Sequence, residues 1–177
     1  MQRAARLLVL GIGNPSRTDD GVGQYVVDEL NRYLGRFPAN TDDKHSRRSA
    51  FSTVQTACVH QLTPELCFEI KDYDVVVFVD AHVGTGVRAE QPVDAFDLSP
   101  VKPALSLTAV SHYWTAGSLL ALTAQFFHHT PQGYMLSIAG RDFSFGDDLS
   151  PQTKEDADRA VQRLVEHIGR LASDSDP

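Results

Sequence analysis

Continuously apolar runs and helically spaced apolar positions alternate along this chain from end to end. Leu7 to Leu10 is apolar without alternation and is closed by Gly11 and Gly13, so it reads as a buried parallel strand running into a tight turn. Val22, Val26, Val27, Leu30, Tyr33 and Leu34 then share one helical face, with Gln24, Asp28, Asn31 and Arg32 opposite. Residues 51–57 read as a short strand, and Thr63 is placed to cap a helix that begins with Pro64 and runs to about Ile70. The strongest strand signal is Asp74 to Asp80, DVVVFVD, which is β-branched and apolar until it ends in a carboxylate. A weaker strand is expected near Val93 to Leu98. Thr115 is placed to cap a helix from Ala116 to about His128, and Tyr134 to Ala139 reads as a last central strand. Ser150-Pro151 opens a terminal helix with Ala157, Val161, Leu164, Val165, Ile168 and Leu171 at helical spacing.

This order of signals predicts an α/β protein, a three-layer α/β/α sandwich on a mainly parallel central sheet. The chain of 177 residues is expected to form a single domain over 1–177, with 36–50 a flexible polar insertion and 173–177 a disordered tail. A net charge of −7, with no basic cluster beyond Arg47-Arg48, argues against a nucleic-acid partner. Cys58 and Cys67 have neither disulfide-framework nor C-x-x-C spacing, which fits a reducing compartment. The apolar stretch at the start is too short for a signal peptide or a membrane span, so a cytoplasmic protein with no membrane span is expected.

The chemistry concentrates in Leu8 to Tyr25, LVLGIGNPSRTDDGVGQY. A Gly-x-Gly after a strand invites a dinucleotide, but Ser16 replaces the third glycine, Pro15 removes an amide donor, and Asp19 and Asp20 repel a phosphate. Paired acids there suit a divalent cation, although capping of the following helix is the simpler role for either one alone. Ligands of an open parallel sheet gather at the carboxyl ends of its strands, where Asp20, Asp80 and His112 are all expected. A carboxylate closing a run as apolar as VVVFV needs a cleft that holds a compensating partner, whereas His112 could equally pack beside Tyr113 and Trp114. Together the three make a mixed oxygen and nitrogen site for Ni²⁺, Zn²⁺, Mn²⁺ or Fe²⁺. Asn14, Asp19, His82 and Arg141 are candidates for the surrounding shell or for substrate contacts. His82 would share the face of Asp80 if the strand continued, and Asp19 is a candidate proton carrier. The loop from Arg141 to Gly146 could border the same cleft, with the simpler role that Phe143 and Phe145 pin it to the core.

The opening L-G-I-G-N-P with D-D-G-V-G, the strand V-V-F-V-D-A, His112 just before a helix and D-F-S-F-G-D-D-L-S-P before the last helix resemble the hydrogenase maturation proteases. These endopeptidases process the large subunit of nickel–iron hydrogenases. The resemblance implies that Asp20, Asp80 and His112 are metal ligands and catalytic residues, with Asp20 at a position where some members carry Glu. It further implies that nickel supplied by the substrate fills the site, and that the partner is the precursor of a hydrogenase large subunit, which loses a short carboxy-terminal extension. No Ser-His or Cys-His nucleophile pair and no H-E-x-x-H is visible, so metal-assisted hydrolysis without a covalent intermediate is the expected route. The alternatives are a nickel-recognising chaperone that binds the precursor without cutting it, and a receiver-like phosphoacceptor domain. The latter needs its acids directly after the first strand and a lysine after the last, where Arg141 stands here.

Overall fold

The computed structural model describes residues 5–36, 53–83, 95–104 and 114–173. Strand β1 (Leu7–Ile12) leads through a 3₁₀ turn (Thr18–Gly21) into α1 (Val22–Tyr33). Strand β2 (Val54–Val59), a second 3₁₀ turn (Pro64–Leu66) and the short α2 (Cys67–Ile70) precede β3 (Val75–Val83). Next come β4 (Phe96–Val101), α3 (Ala116–Phe127), β5 (Gln132–Gly140) and α4 (Pro151–Ser173). All five strands form one sheet in the order β2-β1-β3-β5-β4, parallel except for β4, which pairs antiparallel with β5.

The unbroken apolar runs are explained by burial on both faces. Leu7 and Val9 of β1 and Val75, Val77 and Val79 of β3 pack with α1 and α4 on one side. Leu8 and Leu10, with Val76 and Phe78, pack with α2 and α3 on the other. The expected three-layer sandwich is therefore the observed one, and Asp80 and His82 continue the row of Val76 and Phe78 toward the α3 side.

Several boundaries differ from expectation for identifiable reasons. β3 does not stop at Asp80 but runs to Val83, because β5 continues beside it as far as Gly140. The weaker strand spans Phe96–Val101, and residues 93 and 94 of the expected range lie outside the described residues. It contains Pro100, which an edge strand accommodates. Thr63 makes no side-chain cap, and its helix begins as a 3₁₀ turn, whereas Thr115 accepts from the amide of Ser118 at 3.1 Å as its position predicts. The proposed insertion and tail lie outside the described residues except at Arg36 and Ser173.

One contact positions the site. β1 connects outward to β2, while β3 lies on the opposite side of β1, so a crevice opens between the carboxyl ends of β1 and β3. There the first turn of α1 presses backbone to backbone on the sheet. A Cβ on Gly23 would stand 2.4 Å from the carbonyl oxygen of Ile12 and 2.9 Å from that of Val79, and one on Gly11 would stand 2.4 Å from the carbonyl oxygen of Gly23. Neither obstacle is a flexible side chain that could move aside. Gly23→Ala should therefore cost about 2–3 kcal/mol of stability despite the better helix propensity of alanine, read as a lower denaturant midpoint at unchanged slope.

Candidate active site

The β1–α1 connection is built to hold Asp20 over that crevice. Gly13 has φ +125°, and a Cβ on it would lie 1.9 Å from the carbonyl oxygen of Asp20, so only glycine fits. Asn14 turns the chain by accepting from the amide of Ser16 at 3.0 Å, while its own amide donates to the Asp20 carboxylate at 3.0 Å. Asn14 thus acts directly on Asp20, chiefly through its backbone.

Asp19 and Asp20 lie on consecutive positions of a 3₁₀ turn and therefore point in different directions. Asp19 is fully buried and accepts five hydrogen bonds. The amides of Arg141, Asp142 and Ser150 and the hydroxyls of Ser150 and Thr153 donate them at 2.7–2.9 Å. Burial by itself would raise its carboxyl, but these donors outweigh burial and hold it below the usual carboxylate value. Asp19 is accordingly corrected from a proton carrier to an anchor: it stays ionised, and no water reaches it. Arg141, a candidate for the surrounding shell or a substrate contact, is engaged within the fold. Its guanidinium reaches the Ala139 carbonyl, the Thr153 hydroxyl and, at 2.8 Å, buried Asp156, which Arg159 also pairs. With that charge engaged, no cation stands after β5 in the role a phosphoacceptor domain requires.

The loop from Arg141 to Ser150 is a buttress for the β1–α1 turn. Arg17 donates to the carbonyl of Phe143 at 3.2–3.3 Å, Thr18 donates its hydroxyl to Ser144 and its amide to Gly146, and the Gly146 amide returns to Ser16. The two phenylalanines part company. Phe143 packs on Gly140, where a Cβ would come within 2.5 Å of its ring, whereas Phe145 is 89% exposed.

Across the crevice, the Asp80 carboxyl is pushed up to about 6, first by burial and then by the charge of Asp20, against a lowering hydrogen bond from the Ala81 amide. The two carboxylates are therefore neighbours that repel, an arrangement a divalent cation relieves. His82 lies on the same strand face, since β3 does continue, and its Nδ1 is buried without a hydrogen-bond partner among the described residues. It does not complete a cage: among the described residues no three His, Cys, Asp or Glu side chains are gathered to hold a metal ion. His112 lies outside the described residues, which resume at Trp114, one residue ahead of the α3 cap. Ser137, paired in register with Asp80 on β5, was not anticipated. Its signal is a lone serine inside the run YMLSIAG.

The two neighbouring acids should respond to pH in opposite ways. Asp19 has a depressed folded value, so its contribution is complete above about pH 4, the unfolded value, and is lost as pH falls toward and through the folded one. Asp19→Ala should cost about 3–5 kcal/mol at pH 7 and progressively less as the pH falls below about 4, measured by urea unfolding over that range. Asp80 has a raised folded value, so the folded state binds the extra proton and stability declines as pH rises from about 4 to about 6. Asp80→Asn should be more stable than the parent by up to about 3 kcal/mol at pH 7, with the gain vanishing near pH 4 in the same experiment.

No family model matches the sequence, and no curated protein does. Solved structures do. The [NiFe] hydrogenase maturation protease HycI from Thermococcus kodakarensis KOD1 superposes with a TM-score of 0.63 at 20% identity over 94% of each chain. The hydrogenase maturating endopeptidase HybD from E. coli gives 0.66 at 18% identity over 92% of this chain and 91% of that one. The hydrogenase 2 maturation peptidase from Thaumarchaeota archaeon SCGC_AB-539-E09 gives 0.58 at 21% identity over 93% and 98%. This chain therefore has, over nearly its whole length, the fold of the hydrogenase maturation proteases.

Proposed function

We propose that this protein is a metal-dependent endopeptidase that removes a short carboxy-terminal extension from the nickel-loaded precursor of a nickel–iron hydrogenase large subunit. The observation that carries this reading is the pairing of Asp20 with Asp80 at the crevice between β1 and β3, in a fold shared with proteases of that kind. Two carboxylates of opposing origin, one on a locked turn and one on a strand, offer hard oxygen donors to one ion. His112 would supply the imidazole that suits the set to a borderline first-row metal.

The nickel belongs to the substrate, and Asp20, Asp80 and His112 would hold it. An ion so held supplies Lewis acidity toward the scissile carbonyl or an attacking water. The chain's own part is placement. The Asn14 amide keeps the Asp20 carboxylate oriented, and the glycine contacts keep its turn against β3. Apolar Phe78, fully buried on the same strand face, lies beneath Asp80 and excludes water from the floor of the site. No helix among the described residues is long and apolar enough to cross a membrane. A cytoplasmic site of action fits a substrate that is still being assembled.

Purified protein mixed with nickel-loaded precursor should lower the intact mass of the large subunit by a defined peptide. Asp80→Asn and His112→Ala should each slow this by at least about a hundredfold. Cleavage at the parental rate by either variant removes that residue from the mechanism. Precursor binding with no mass change by the parent protein would instead assign the non-cleaving chaperone role.

A further inference from the structure

β3 outruns its neighbour on one side only. It is paired with β5 as far as Val83, opposite Gly140, but its last partner on β1 is Gly11, opposite Val79. Past that rung the chain of β1 leaves β3: the Gly13 amide bonds Val59 of β2 at 3.0 Å, and the Asn14 amide bonds the Asp20 carboxylate. Among the described residues, 80–83 are thus paired along one edge and bare along the other, although β3 is the central strand of the sheet.

The ladder fixes which backbone groups are bare. In a parallel sheet the amide and carbonyl of one residue face the same neighbour, and successive residues alternate between neighbours. The Val75 amide bonds Arg6 at the start of β1, whereas the Asp74 carbonyl accepts from Gln132 of β5. Odd-numbered residues of β3 therefore face β1, so Ala81 and Val83 direct their groups into the crevice. The Ala81 amide is drawn to the Asp80 carboxylate, but no described strand covers the Ala81 carbonyl or the Val83 amide and carbonyl.

The side chains are uncovered at the same place. Val83 is 62% exposed despite its central strand, and the Nδ1 of His82 is buried without a hydrogen-bond partner among the described residues. Strand amides and carbonyls at sheet spacing match one kind of ligand, an extended backbone lying about 4.8 Å away. On the reading of the chain as an endopeptidase, we infer that the bare edge of β3 at residues 81–83 receives the tail of the precursor as an added strand. A tail paired there runs alongside Asp80 and so passes the acid pair. Backbone pairing is indifferent to sequence, which leaves selection to Val83, an apolar contact on the α1 and α4 side, and to His82, a polar one on the α3 side.

Val83→Pro removes the amide that faces the crevice and sets a ring in the path of an added strand, while pairing with β5, which uses the backbone groups of His82 at this end, is kept. With the nickel-loaded precursor as substrate and intact mass as the readout, Val83→Pro should raise KM about tenfold or more and leave kcat within about twofold. Val83→Ala keeps the amide and should raise KM clearly less. In hydrogen exchange read by fragment mass, adding the precursor to the slow His112→Ala variant should retard the Val83 amide about tenfold or more, with the His82 amide, already held by β5, unchanged. Equal KM values for the parent and Val83→Pro at an unchanged melting temperature overturn strand addition and leave the proposed cleavage standing. An equal rise in the two Val83 variants also overturns it, because the contact is then one of side chains. If Val83→Pro unfolds, the exchange experiment decides, and an unaltered Val83 amide overturns the inference. A parent protein that neither binds nor cleaves the precursor defeats the proposed function, and strand addition with it.

Discussion

The rest of the site depends on one ionised side chain that never meets solvent. Asp19 gathers donors from the turn after β5, from Ser150 at the start of α4 and from Thr153 inside its first turn, and so fastens two segments distant in the chain to the turn that follows β1. A buried charge is tolerable only when its oxygens are fully occupied, and here the shortage of water is made good by backbone amides that would otherwise be orphans at a loop and a helix start. Asp20, the next residue, inherits a fixed position from this arrangement. The division of labour between adjacent identical residues follows from the turn geometry and not from any difference in their chemistry.

Much of this was legible in the residues. Unbroken apolar runs announced strands covered on both faces, and the alternating order of strands and helices announced the layers. The site was legible in part. The charge of Asp20 acts on Asp80, and a glycine turn and a polar end to a valine strand are both local signals of a strand terminus. The functions of Asp19 and Arg141 were not legible, because each is decided by partners more than a dozen residues away or by burial that no local pattern encodes. The same holds for β4. Its antiparallel direction is set by how the chain returns to β5, and Pro100 in its sequence argues locally against a strand.

The pair at the crevice stores repulsion. Apolar surroundings and its neighbour's charge raise the Asp80 carboxyl to about 6, so its ionisation at neutral pH leaves the folded protein with an unfavourable arrangement that a bound cation would turn into a favourable one. Tight packing beneath it makes this tension possible, since the glycine contacts leave the turn no room to withdraw. Stability is given up at the place where chemistry is expected, and the Asp19 network next to it supplies compensation.

Pro100 has a consequence for the protein's behaviour in company. The Ala139 amide bonds Ala95, and with the pairing register this directs the backbone groups of Phe96, Leu98 and Pro100 away from β5, toward the open side of the sheet. The nitrogen that lacks a hydrogen is thus one of the three that a further strand would have to use. Among the described residues β4 is the edge of the sheet, and a strand added there would find no donor at that rung, which disfavours edge-to-edge pairing on that flank.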